Sequence, residues 1–381
     1  MSEVLFNPSS SRSVDIEEPT REPLAFHKRF PGYAPTPLVS VPVLAHRFHL
    51  AKVWVKDESH RLGLPAFKIL GASWAIYCLL EEHFGPSVIR WSSFDELRSI
   101  VTQWEPITFC CATDGNHGRG VARMAKLLGM QARIYMPYGS ASARIEAIQS
   151  EGATVIVDGT YDDAVARAAR ECSADGFLIQ DTAWSGYEKI PNWIVQGYST
   201  LFWEIDDALA TAGEPGPTMV IVQMGVGSLA DAVVRHYRRP SVTSPPVLVG
   251  VEPENAACVL ASVKAGRVVT LPGHQDSILA GLNCGTPSSI SFPVLMKGMH
   301  CFLTIDDERA REAMRALAIA GITAGETGAA GAAGLLELLS VDHPPDIRLL
   351  LGVSDKTRVL LICTEGATDP QSYRYIVGPS P

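Results

Sequence analysis

Apolar and polar positions follow two periods along this chain, and the periods keep trading places. Short β-branched runs at Lys52 to Val55 (KVWV), Ile107 to Ala112, Ala132 to Met136 and Thr154 to Val157 read as strands. Ala66 to Phe84, His117 to Leu128, Ser142 to Ser150 and Asp162 to Cys172 instead carry apolar residues at helical spacing. The second half repeats the scheme. A long helix is expected from Asn192 to about Ala210, and strands at Met219 to Gln223, Val247 to Val251 and Val359 to Cys363. Further helices start at Leu229 and Asn255 and span Asp306 to Ala320 and Thr327 to Leu339. Such alternation predicts an α/β fold of parallel sheets with helices on both faces. The alternations divide best into two open parallel-sheet α/β domains, with ligands in the crevice at the strand carboxyl ends. Irregular spacing makes a closed eight-fold barrel the second choice.

Composition narrows the partners. With 46% hydrophobic and 19% charged residues in 381, the chain is rich enough for a sizeable core. Its 32 Lys plus Arg against 41 Asp plus Glu give a net charge of −9, and there is no long basic cluster, so a nucleic-acid partner is not expected. The longest weakly polar stretch, Ile69 to Leu80, ends at Glu81 and Glu82, short of the ~20 residues a bilayer requires. No basic flank precedes an apolar run near the N-terminus, and the first 20 residues, rich in Ser, Pro and charge, are expected to form a mobile arm. Eight cysteines without CxxC spacing argue against a disulfide framework or a zinc site, and a reducing, cytoplasmic setting is the default.

Three segments carry candidate chemistry. Gly225, Val226, Gly227, Ser228 and Leu229 lie between the run MVIVQ and a helical stretch, where backbone amides at a helix start favour a phosphate. The same loop fits G-x-G-x-x-A, with Glu252 ending the next strand, so a nicotinamide cofactor stays open at this point. Lys68 follows Pro65 and is placed in the first turn of an apolar helix. There it is either a snorkelling surface residue or a desolvated amine of the kind a Schiff base needs. In ATDGNHGRG, Asp114 stands at a strand end as a general base or a helix anchor, Asn116 is a natural helix cap, and His117 a helix-start donor.

In this order, Lys68 in its AFK context, DGNHGRG and MGVGSLA resemble the pyridoxal-phosphate enzymes of the tryptophan synthase β-subunit type, fold type II. PGYAPTPLVSVPVLA, VKDES, DTAWSGYEKIPNWIVQGY, GVEPENAACV, AGLNCGTPS, TAGETGAAG and ICTEGATD are similar to the diaminopropionate ammonia-lyases within that group. The resemblance runs from about Phe30 to Tyr375, and DTAW with TEGATD discriminates far better than the phosphate loop. Leu62, Pro65 and Ala72 depart from the family pattern, where Phe, a polar residue and Gly are expected.

The resemblance implies a large cofactor-binding domain from 21–71 plus 192–381, a small α/β domain from 72–191, and a homodimer. It implies that Lys68 holds pyridoxal phosphate covalently and returns as a base, that Gly225 to Leu229 cradle the phosphate, and that Asn116 bonds the phenolic oxygen. Thr364, or else Cys363, would face the pyridine nitrogen. Asp181 would take a substrate ammonium, with Trp184 and Glu326 as wall residues, and Asp114 would serve as a second base on the opposite face from Lys68, admitting both L and D isomers. The implied reaction is β-elimination of 2,3-diaminopropionate to pyruvate and ammonia through an aminoacrylate, with a small amino acid as the only partner and no metal. Rivals are a serine or threonine dehydratase, a β-replacement enzyme, a non-catalytic cofactor-binding paralogue and, more distantly, a nicotinamide dehydrogenase. Cys258 and Cys284 are expected as buried thiols, although a bridge between them stays open.

Overall fold

A computed structural model describes residues 2–85, 91–103, 107–172, 176–340 and 346–378. The chain divides into two compact units, one of residues 1–19, 35–60 and 201–381, the other of 20–34 and 61–200. Among the described residues no helix is long and apolar enough to cross a membrane.

The first unit is built on seven strands: β1 (Val4–Phe6), β2 (Leu38–Ser40), β3 (Lys52–Asp57), β8 (Met219–Gln223), β9 (Val247–Pro253), β10 (Cys301–Ile305) and β11 (Arg358–Cys363). Their order is β1-β10-β9-β8-β11-β3-β2. The five inner strands run parallel, and β1 and β2 close the two edges antiparallel. The inner runs are continuously apolar because helices cover both faces; all five residues of β8 are buried. The antiparallel edges were not anticipated, and β1 falls within the stretch expected to be a mobile arm. Packed on one face, the small-residue stretch after Thr323 is a 3₁₀ turn, Thr327–Ala329, followed by the helix Ala330–Leu338 rather than one continuous helix.

The second unit carries β4 (Thr108–Ala112), β5 (Gln131–Met136), β6 (Thr154–Val157) and β7 (Gly176–Leu178) in the order β6-β5-β4-β7, all parallel. β4 is central and wholly buried; β6 at the edge leaves Thr154 and Val157 exposed. Against the expectation of thiols throughout, Cys110 on β4 and Cys172 at the end of the helix Tyr161–Cys172 form a disulfide within a small apolar cluster. Cys258 and Cys284 are buried thiols.

Helix starts shifted by a few residues. The first long helix is Ile69–Phe84, so Lys68 does not sit in its first turn; it is the residue just before it, its carbonyl taking the first helical hydrogen bond from Ala72. A turn at Arg61–Leu64, with Leu62 and Gly63 both at positive φ, delays the helix past Pro65. Deep inside this unit, a Cβ on Gly71 would lie 2.5 Å from Tyr198 Cε1 and one on Gly197 2.5 Å from the Leu70 carbonyl oxygen. Only glycines let the backbone following Lys68 approach the helix that begins at Lys189 so closely.

Candidate active site

In the four-stranded unit, parallel pairing brings the chemistry together. β4 and β7 run side by side, so the segments leaving their carboxyl ends are neighbours: Thr113-Asp114-Gly115 after β4 and Ile179-Gln180-Asp181 after β7. The Ile179 amide donates to the Cys110 carbonyl, and the Ala112 amide donates to the Gln180 side chain, extending the ladder past both strands. Lys68 Nζ then meets Asp181 Oδ2 at 2.7 Å, and His117 Nδ1 lies 3.9 Å from the same oxygen. Since a carbonyl only accepts, the 2.6 Å contact from His117 Nε2 to the Ile179 carbonyl places the proton on Nε2. Burial keeps this imidazole below its usual pKa, against the pull of Asp181.

The two carboxylates diverge. Burial opposes the charge on Asp181, yet Lys68 and then His117 overcome it and hold the carboxyl at about 2. For Asp114 burial wins: desolvation first, with Asp181 adding to it and Arg144 and Lys68 opposing, sets the carboxyl at about 7. Neighbouring acids with separated proton affinities are the usual mark of divided acid and base duties.

Asn116 is not the helix cap. It is the first residue of the helix Asn116–Leu128, Gly115 stands at the cap, and the Thr113 hydroxyl accepts from the Gly115 and Gly118 amides instead. Trp184 stacks on Tyr187 at 4.5 Å and 20°, and the Tyr187 hydroxyl, accepting from the Gln180 amide and donating to the Leu178 carbonyl, secures the segment that bears Asp181.

Tyr198 and His27 belong to this half and escaped the sequence reading, because a tyrosine and a histidine on apolar helical stretches look like ordinary core. Tyr198 is fully buried with Lys68 Nζ 5.9 Å from its ring centre; burial raises its hydroxyl to about 12, with Lys68 pulling the other way. His27 Nε2 donates toward the Leu70 carbonyl at 3.1 Å while Nδ1 accepts from Thr200 at 2.8 Å, tying the turn after Lys68 to the helix of Tyr198.

In the seven-stranded unit the corresponding edge is formed by β8 and β11. The helix after β8 is Ser228–Tyr237, starting one residue earlier than expected, with Gly227 at its cap at φ 99°. A Cβ on Gly227 would lie 2.7 Å from Leu295 Cδ1, and one on Gly225 3.0 Å from Cys284 Sγ and 3.1 Å from the Gly281 carbonyl oxygen. Ser288 donates its amide to the Val226 carbonyl, fixing the loop from outside. The result is a side-chain-free cradle at the N-terminus of a ten-residue helix, which suits a phosphate. Beside it, Gln223 Nε2 donates to the Thr364 hydroxyl at 3.0 Å and to the Ile362 and Thr327 carbonyls. Cys363 points the other way, into the apolar core, and burial raises its thiol well above the ordinary range. Of the two residues, Thr364 is therefore the one in polar surroundings. Glu326 receives the Ser372 hydroxyl at 2.5 Å.

Glu252 has a different occupation from the one a nicotinamide site requires. Both its oxygens accept amides of its own chain, Val259 and Leu260, at 2.8 Å, and burial lifts its carboxyl to about 8. It anchors the helix Cys258–Ala265.

The family described as pyridoxal-phosphate dependent enzyme matches residues 29–364. Diaminopropionate ammonia-lyase of Salmonella typhimurium is 42% identical over 368 residues, 93% of this chain and 91% of its own. The crystal structure of diaminopropionate ammonia lyase from Escherichia coli in complex with D-serine superposes with a TM-score of 0.91 at 36% identity, covering 99% of this chain and 97% of that one. The same enzyme in complex with an aminoacrylate-PLP azomethine reaction intermediate gives 0.90 at 36% identity, with 99% and 97% covered. The chain thus belongs to the fold type II pyridoxal-phosphate-dependent enzymes and, within them, to the diaminopropionate ammonia-lyase family.

Proposed function

We propose that this protein is a pyridoxal-phosphate-dependent ammonia-lyase that removes the β-amine of 2,3-diaminopropionate, yielding pyruvate and, with one water consumed, two molecules of ammonia. The observation that carries the reading is the Lys68–Asp181 contact at 2.7 Å beside a second carboxyl, Asp114, of very different proton affinity. When bound, pyridoxal phosphate supplies an electron sink that acidifies the substrate α-proton.

The chain's own groups divide the rest of the work. Lys68 would be the residue that holds the cofactor covalently, and its free amine would serve as a base for the α-proton. Gly225, Val226, Gly227, Ser228 and Leu229 would hold the phosphate by backbone amides, and Asn116 would bond the phenolic oxygen. Thr364, a neutral hydroxyl kept in place by Gln223, would be the partner of the pyridine nitrogen. Asp181, whose carboxyl Lys68 and His117 hold at about 2, would take the β-ammonium as a charge-assisted partner. Trp184 walls that position and limits water. Asp114 takes the α-proton on the face opposite Lys68, which opens the enzyme to both isomers.

A homodimer in the cytoplasm belongs to the same reading. Light scattering and cell fractionation check these two points. A serine or threonine dehydratase is the alternative, because it needs the same cradle and lysine but no acidic partner for a second ammonium. Ammonia release measured across L- and D-diaminopropionate, serine and threonine decides between them. Preference for diaminopropionate by tenfold or more in kcat/KM, about 1.4 kcal/mol, is expected; equal or better turnover of the hydroxy amino acids overturns the assignment.

A further inference from the structure

Asp114 can act as a base only if it carries a charge, and its surroundings resist one. The groups that face it come from three other elements. Asp181 after β7 repels its charge, Lys68 before the helix Ile69–Phe84 favours it, and Arg144 on the helix Ser142–Gln149 favours it too. His117, on Asp114's own side of the loop, is neutral and turned toward the Ile179 carbonyl. Lys68 is a poor long-term counter-ion, being already joined to Asp181 and destined to link to the cofactor. Arg144 is the cation that stays.

The placement of Arg144 is unusual for a surface arginine. It occupies the first turn of its helix, where the dipole disfavours a cation, and it is half-buried. Among the described residues its side chain makes no hydrogen bond or ion pair. Its stem instead runs along Gly115: a Cβ built there would lie 3.6, 3.5 and 3.1 Å from Arg144 Cβ, Cγ and Cδ in turn, so the chain converges on the residue after Asp114. Gly115, at φ 150°, is what leaves room for it. A guanidinium bonded directly to Asp114 would make the carboxylate a weak base; one held beside it, unbonded, favours the charge while leaving the oxygens available for a proton.

We propose that Arg144 is a positioning residue for the second base: it keeps Asp114 ionised for attack on the α-proton of the D isomer, and so sets how well D-diaminopropionate is used relative to L. The inference rests on the reading of Asp114 as that base. In the step concerned, the α-proton passes to an Asp114 oxygen, the Cα–H electron pair ends as the π bond of Cα=Cβ, and the β-ammonium leaves as neutral ammonia with the Cβ–N pair.

Infrared difference spectra of the holoenzyme titrated across pH read the protonated carboxyl of Asp114, assigned by its loss in Asp114→Asn. In Arg144→Met the midpoint is expected to rise by about one pH unit or more. In kcat/KM profiles the acid limb for the D isomer should move with it, and the D-to-L ratio at neutral pH should fall about tenfold, while Arg144→Lys, which keeps the charge, recovers most of the loss. An unmoved midpoint in Arg144→Met, or an Arg144→Lys no better than Arg144→Met, overturns the proposal. Should Asp114→Asn turn over the D isomer as the wild type does, the base assignment itself fails; if Asp114→Asn loses that activity while Arg144→Met changes nothing, only the role of Arg144 is lost.

Discussion

At the carboxyl edge of the four-stranded sheet, Lys68, Asp114, His117 and Asp181 form one connected cluster of ionisable groups. At the matching edge of the seven-stranded sheet, Gln223, Gly225, Gly227 and Thr364 present amides, a carboxamide and a hydroxyl. Both edges arise where parallel neighbours end, β4 beside β7 and β8 beside β11, although β7 stops opposite Cys110, two residues short of the end of β4. They differ in what burial does to them. Neutral groups are satisfied by fixed hydrogen bonds and lose nothing when water leaves, whereas desolvated charges must be set against each other. On the function proposed above, the neutral arrangement would grip the cofactor and the charged one would move protons.

The comparison can be broken first at Lys68. Lys68→Ala should abolish the visible Schiff-base band and lower kcat by on the order of 10³-fold or more, while the neutral edge still retains cofactor in equilibrium dialysis. A smaller loss of activity would mean that the charged edge is not where protons move. Asp181→Asn comes next. It removes a charge-assisted bond of ~1.5–3 kcal/mol, so kcat/KM for diaminopropionate relative to serine should fall by about 10- to 100-fold; an unchanged ratio would remove the ammonium from Asp181. On the neutral side, Gly227→Ala forces a side chain onto Leu295 at a left-handed position, at a cost of ~1–2 kcal/mol. Cofactor affinity should weaken about tenfold, with little change in substrate preference once saturated, as titration of the resolved apoenzyme would show.

The smallest effect is on stability. Burial raises the folded-state proton affinity of Asp114 to about 7, against an ordinary value near 4 in the unfolded chain. The folded protein therefore holds this proton more tightly, and the group costs stability progressively as pH rises from about 4 to about 7. Asp114→Asn should remove that decline: urea melts at pH 4.5 and 8 ought to differ less in the variant than in the wild type, by ~1 kcal/mol or more. An equal pH dependence in both would show that Asp114 is no stressed charge.

How much of this was legible in the residues depends on whether the signal is local. TFCCA and MVIVQ are apolar at every position but Thr108 and Gln223 at their ends, so β4 and β8 declare themselves as central parallel strands, and the glycines of GVGSL mark a turn into a helix with equal directness. β1 and β2 are three residues long and half-exposed, and nothing in their composition specifies antiparallel pairing. Lys68 and Asp114 stand out from their local context and Asp181 is singled out by resemblance, but the contrasting proton affinities of the two carboxyls come from packing between segments far apart in sequence. Gln223, at the end of an apolar strand, and Tyr198 and His27, among apolar helical residues, give no local sign of their hydrogen-bonding or electrostatic roles. Cys110 and Cys172 are 62 residues apart and meet only because a helix folds back over β4.

The segment that delivers Asp181 hangs from β7, a three-residue strand at the rim of its sheet, with the Tyr187 hydroxyl as its outer tie. Rim strands exchange their amide hydrogens sooner than central ones. Heat or mild denaturant should accordingly detach Asp181, the carboxylate proposed to bind the ammonium, while β4 and the Gly225–Leu229 loop are still intact, so that catalytic inactivation runs ahead of cofactor loss and of unfolding.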